Sequence, residues 1–153
     1  SIISAQEPSD NMTVSANIIG IRNLPSFEGV GIQVPEFIDL GNVTNSSRVS
    51  KEVTIQINNT GTVNITVTPQ LADPNEGIFS FLYFRTFKSS SNPLNNMYYR
   101  IGEYSLYIDK PSSGSGVRSK SWYMILNLTD FNLPLTKDLF DYKAEVIFYA
   151  MPA

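Results

Sequence analysis

The chain contains no cysteine and no histidine in its 153 residues. Without cysteine there is no disulfide scaffold and no thiolate chemistry. Without histidine the usual general base is missing, and with it His-based triads and Cys/His metal clusters. Charge is sparse as well: Asp, Glu, Lys and Arg make up 16% of the residues, against about 25% in an ordinary soluble domain. The 11 Lys and Arg are scattered singly and the net charge is −3. Phosphate backbones need clustered cations, so nucleic acid is not an expected partner. No apolar run approaches the ~20 residues that span a bilayer, so no membrane span is expected in this chain.

What replaces charge is neutral polarity, from 18 Ser, 10 Thr and 14 Asn. Hydrophobic residues still reach 42% and aromatics 12%. That is enough for one domain of this length to bury a full core.

Alternation with period 2 dominates the chain, and helical periodicity is scarce. Met12, Val14, Ala16 and Ile18 share one face of a candidate strand over residues 12–18. The same pattern recurs at Val30, Ile32 and Val34, at Val53, Ile55 and Ile57, and at Val63, Ile65 and Val67. Residues 78–87, "IFSFLYFRTF", are an aromatic-rich strand candidate, and residues 97–108 hold two short strands around Gly102. "SWYMILNL" (121–128) is a buried strand, and residues 142–150 alternate again. Turn chemistry separates these runs, in "NVTNSS", "DPNEG", "SSSNPLNN" and "KPSSGSG". "LTKDLFDYK" could instead form a helical turn before the last strand. Many short strands with closely spaced turns predict an all-β, antiparallel sandwich.

Asn-x-Ser/Thr occurs six times, at Asn11, Asn42, Asn45, Asn58, Asn64 and Asn127, never with Pro between. Composition alone would supply about two or three, so the excess points to N-glycosylation of an exported protein. "INNTGTVNIT" (57–66) carries two of them. A hairpin from 57 to 63 is expected there, with Asn58 and Asn64 on one solvent face. Asn42 and Asn45 are placed in a loop, and Asn11 before a strand. Asn127 is ambiguous, since Ile125 shares its face.

Catalytic and metal candidates have plainer explanations. Asp138 and Asp141 suit capping or turn roles, and Ser119, Lys120 and Ser121 suit a solvated strand start. Asp73, Asn75 and Glu76 could offer oxygen ligands to Ca²⁺, but they also make a good turn. The aromatics Phe79, Phe81, Phe84, Phe87, Tyr98, Tyr99, Tyr104, Tyr107 and Trp122 are spread over several strands, as packing residues are. No enzyme activity, metal or cofactor is expected beyond covalent N-glycans.

Residues 29–68, with "FIDLGNV" and "NNTGTV", resemble the opening of bacterial and archaeal cell-surface Ig-like domains. That resemblance covers about a quarter of the chain and implies an Ig-like β-sandwich. "DLFDYKA" is similar to a tyrosine corner, with Tyr142 opening strand F and Ala144 where a Cys often stands. On that reading no length remains for strand G. Alternatively, residues 142–150 are simply the last strand of a complete sandwich. Residues 1–24 then form an N-terminal strand-bearing tail, with the head at 25–153. The tail strand could complete its own domain or insert into a neighbour.

With the sequon density and the lack of Cys, these features resemble the glycosylated threads of Sulfolobus-type archaea, and in architecture bundling pili. The resemblance implies an extracellular, cell-surface filament built by donor-strand complementation and used in adhesion, aggregation or biofilm. Its partners would be copies of itself, joined head to tail, with a cell-surface or glycan target. Met12, Val14, Ala16 and Ile18 would enter the acceptor groove, with Ile2 and Ile3 as further anchors. The chain starts at Ser1, as expected of a mature product after signal-peptide removal. The alternative is a monomeric Ig-like adhesin or surface-layer-associated binding domain.

Overall fold

Alternating apolar residues become strands in the computed structural model, which describes residues 13–19, 22–25, 27–73, 77–86, 98–112, 116–132 and 142–153. The strands are β1 (Thr13–Ile19), β2 (Arg22–Pro25), β3 (Ile32–Gln33), β4 (Phe37–Thr44), β5 (Val53–Asn59) and β6 (Ile65–Leu71). They continue with β7 (Leu82–Arg85), β8 (Tyr99–Arg100), β9 (Leu106–Ile108), β10 (Arg118–Leu126), β11 (Tyr142–Ala144) and β12 (Val146–Pro152). A five-stranded sheet runs β3-β5-β10-β7-β8, a four-stranded sheet β2-β12-β6-β9, and a three-stranded sheet β11-β1-β4.

The five- and four-stranded sheets share one core. Ile55 and Ile57 of β5 and Trp122 and Met124 of β10 come from one side. Ile65 and Val67 of β6 and Phe148 of β12 come from the other, and all are buried. Trp122 lies stacked on Phe84, 4.3 Å between centroids, and meets Phe148 at 5.9 Å across the core. Ile38, Leu40 and Val43 of β4 and Ala144 of β11 extend the same core into the third sheet. The fold is therefore all-β and sandwich-like.

Glycine explains an irregularity in β4. Its buried positions run Ile38, Leu40, then Val43, one residue out of step. Gly41 has φ +77°, a left-handed conformation that other residues avoid. Its N–H donates to Asp39 Oδ1 at 2.7 Å. The pairing with β1 jumps from Asp39↔Asn17 to Asn42↔Ser15. Leu40 and Gly41 thus oppose the single residue Ala16, which is a β-bulge. The "DLG" of the recognised stretch is its signature.

Three expectations change. The aromatic run 78–87 is not one strand: Gly77–Phe81 forms a 3₁₀ turn, with Ser80 Oγ donating to the Gly77 carbonyl at 2.9 Å, and only Leu82–Arg85 is extended. Asn42 lies within β4 rather than in a loop. The segment 57–63 is not a hairpin, because β5 and β6 belong to different sheets. It is an arch that carries the chain across the core. Asn58 lies in β5 and Asn64 just before β6 of the other sheet, so the two do not share a face. The possible helical turn before the last strand, with Asp138 and Asp141, lies outside the described residues, as does the part of the acidic turn containing Asn75 and Glu76.

Candidate functional site

The arch is locked by side chains that alternation alone does not reveal. Asn59, fully buried, occupies an inward position of β5 after Ile55 and Ile57. Its Nδ2 donates to the carbonyls of Val63 (2.9 Å), Asp109 (3.1 Å) and Ile108 (3.3 Å), and its Oδ1 accepts from Gly61 N–H at 2.9 Å. One amide thus ties the end of β5, the arch and the end of β9. Gly61 permits the next contact: a Cβ there would sit 2.1 Å from the Gly29 carbonyl oxygen and 2.5 Å from Gly31 N. Thr60 and Thr62 N–H groups bond the carbonyls of Gly31 (3.0 Å) and Gly29 (2.8 Å). Residues 29–31 are fastened to the arch, and the body of the sandwich is anchored from there onward.

Upstream of that anchor the described residues form β1 and β2, and their pairing is unusual. β1 runs antiparallel to β4, with Val14 opposite Val43 and Ile18 opposite Ile38. On its other edge it runs parallel to β11, with Ala16 opposite Tyr142 and Ile18 opposite Ala144. β2 then runs parallel to β12, from Arg22 opposite Ile147 to Pro25 opposite Ala150. The N-terminal segment follows the last segment of the chain along both halves, with a one-residue slip between them. Parallel neighbours cannot be joined by a tight turn; here the whole sandwich is the connection. Among the described residues β4 pairs with no strand but β1. Within one chain, then, the N-terminal strands fill the edge beside the last strand, where the tyrosine-corner reading left strand G missing. Among the expected donor residues, Val14, Ala16 and Ile18 have register positions in β1; Met12, Ile2 and Ile3 lie outside the described residues, as does Asn11.

The remaining sequons differ in how their amides are used. Asn58 sits in a row across three strands, opposite Gln33 and Ser119. Its Nδ2 donates to Gln33 Oε1 at 3.0 Å, and its Oδ1 accepts from Ser119 Oγ at 2.6 Å. Asn64 Oδ1 accepts from Lys110 N–H at 2.9 Å. Asn45 sits in the turn after β4, where its Oδ1 accepts from an Arg48 Nη at 2.9 Å. Asn127 Oδ1 accepts from both Thr129 N–H (3.0 Å) and Thr129 Oγ1 (2.6 Å), so that sequon is closed into an Asx turn. Asn42 is exposed and stands opposite Ser15 of β1.

The other candidates separate spatially. Ser119 bonds Asn58, whereas Lys120 Nζ donates to the Tyr107 carbonyl at 2.7 Å, so the two form no dyad. Phe79, Phe84 and Trp122 are core residues. Tyr99 and Tyr104 are exposed and stacked at 4.5 Å. Among the described residues no group of three or more His, Cys, Asp or Glu could hold a metal ion. No helix among them is long and apolar enough to cross a membrane.

One charged cluster escaped sequence reasoning. Arg85, buried to 1% exposure, donates through Nε (2.8 Å) and one Nη (2.9 Å) to the two carboxylate oxygens of Glu52. Tyr98 O–H also donates to that carboxylate, and its ring lies 5.0 Å from the Arg85 guanidinium carbon. The hydrogen bond to Glu52 raises the Arg85 pKa further. Burial first, and the bond to Glu52 second, push the Tyr98 phenol up to about 12. Arg85 and Glu52 are 33 positions apart, and nothing local marks them as partners. The cluster is a structural clamp at the end of β7, tying it to the residue just before β5.

Comparison with protein-family models, with curated proteins and with solved structures finds no match for this chain.

Proposed function

We propose that the chain is the structural subunit of an extracellular filament, in which the N-terminal strand pair of one copy fills the edge beside the last strand of the next. The observation that carries this reading is the parallel pairing of residues 16–18 with residues 142–144 and of residues 22–25 with residues 147–150. That pairing uses backbone hydrogen bonds and register, and neither depends on which chain supplies the strand. β1 and β2 precede the anchor at residues 29–31, so the same contacts can be made in exchange between copies. Head-to-tail exchange of this kind does not close on itself and yields a fibre. The Ig-like resemblance, the six sequons and the absence of cysteine support a glycosylated, Cys-free surface thread serving adhesion or aggregation. The role is structural rather than enzymatic.

A second reading has its own support. β1 and β2 are seated within one chain, as in a self-sufficient monomeric adhesin or surface-layer-associated binding domain. Negative-stain imaging of native material separates the two. Long thin fibres are expected, and discrete particles would favour the monomer. Intact mass tests the glycans: the filament reading expects a value well above the 17.1 kDa of the bare chain.

A further inference from the structure

A cleft of about 470 Å³ opens where the end of β6 meets β12 and the turn after β8. It is within the size range of small-ligand sites. Gln70, Leu71 and Ala72 form one wall, Tyr149 another, and Arg100 through Gly102, with Ser80, the third.

Arg100 is the informative residue. Its Nε donates to the Ser80 carbonyl at 2.8 Å, and its guanidinium carbon lies 5.1 Å from the centre of the Phe81 ring. Phe81 is itself held edge-on by Phe131, 5.9 Å between centroids. The guanidinium is thus fixed by one hydrogen bond and one aromatic face. Among the described residues its two Nη groups have no hydrogen-bond partner. A fixed, planar fork with free Nη donors is the geometry that takes a carboxylate or sulfate. It stands at the start of a tight turn: Glu103 N–H donates to the Arg100 carbonyl at 3.0 Å, and Gly102 has φ +93° with open space over its Cα.

An inorganic anion would use only Arg100. The cleft also offers a Tyr149 ring that is 38% exposed, the Gln70 amide, and apolar surface from Leu71 and Ile101. A flat aromatic face beside an amide and a cation matches a pyranose ring carrying an acid group. The C–H face of the sugar packs on Tyr149, its hydroxyls bond Gln70, and its carboxylate meets Arg100. We infer that this cleft binds an acidic saccharide. The inference rests on the cleft alone and holds whether the chain is a filament subunit or a monomer. The saccharide could belong to a neighbouring subunit's glycan or to another cell's surface polysaccharide; the chemistry is the same.

Isothermal titration of the full-length protein with digalacturonate tests it, with cellobiose, acetate and a glutamate-rich peptide as comparators. Digalacturonate is expected to bind, more weakly as salt is added, and more tightly than any comparator. Arg100→Gln should weaken it about tenfold or more, as loss of a charge-assisted bidentate contact does. Tyr149→Leu, a change at an outward strand position, should weaken it severalfold without altering the melting temperature, so one variant remains informative if Arg100→Gln unfolds. Repeating the titration on enzymatically deglycosylated protein distinguishes the sources. Tighter binding after deglycosylation points to the protein's own glycans as occupants, and unchanged binding to an external polysaccharide. No heat with digalacturonate, equal binding of acetate or cellobiose, tighter binding of the peptide, or a folded Arg100→Gln variant with unchanged affinity would each overturn the inference.

Discussion

A single buried amide decides where the chain crosses the core. Asn59, fully buried, bonds three carbonyls and one N–H where the arch meets the end of β9. Asn59→Ala should therefore destabilise the fold by roughly 2–4 kcal/mol, since orphaned buried acceptors cost more than a hydrogen bond gains. Urea unfolding of the variant beside wild type measures it, and a change within about 0.5 kcal/mol would contradict that role. Tyr98 makes a second prediction. Its pKa lies near 12 in the folded protein, against about 10 in an unfolded chain. The folded state then holds the proton more tightly than the unfolded one. The contribution is fully present below pH 10 and is lost as pH rises toward 12. Tyr98→Phe should remove that part of the alkaline stability loss, as thermal melts across this window would record. Matching pH profiles for the two proteins would rule it out.

Individual residues were unequally legible. The β4 bulge was not read from the sequence, although its signal is local: Asp39 accepts from the N–H of a left-handed Gly41. Asn59 looked like turn material, because "NNTG" is turn chemistry by composition. Two of its partners, the Ile108 and Asp109 carbonyls, lie some fifty residues away, and no local pattern encodes those. Glu52 and Arg85 were invisible for the same reason.

At the level of strands, period-2 alternation located most of the elements. It marks which face is buried and is silent about which sheet a strand joins. That is why β5 and β6 were expected as a hairpin and proved to be the two legs of an arch. It is also why the partners of β1 had to come from the structure. Among the described residues β1 is the only strand paired with β4, and β2 covers one edge of β12. Removing residues 1–25 takes both away and exposes unpaired edges, a standing invitation to association with any available strand. The truncated head should be destabilised and should form no regular fibres. A synthetic peptide spanning residues 13–25 should restore much of its thermal stability by occupying the same edge. Regular fibres from the truncated protein, or indifference to the peptide, would show that this strand pair is not the joint.

For the whole molecule, the two readings differ in one respect only: whether residues 13–25 pair within a chain or between chains. The strand register is the same in both. Composition alone limited the chemistry, since a chain with neither Cys nor His and with thinly spread charge has few catalytic options. The lack of cysteine also makes the distinction accessible to direct experiment, because any introduced pair has no native competitor. Ile19 of β1 stands opposite Phe37 of β4, a spacing that a disulfide can bridge between antiparallel neighbours. The decisive measurement is a non-reducing gel of native, oxidised material from the Ile19→Cys/Phe37→Cys double variant. The filament account predicts a ladder of covalent multimers that collapses to one band on reduction. A single monomer band with the introduced cysteines fully oxidised would contradict it and establish a self-contained domain.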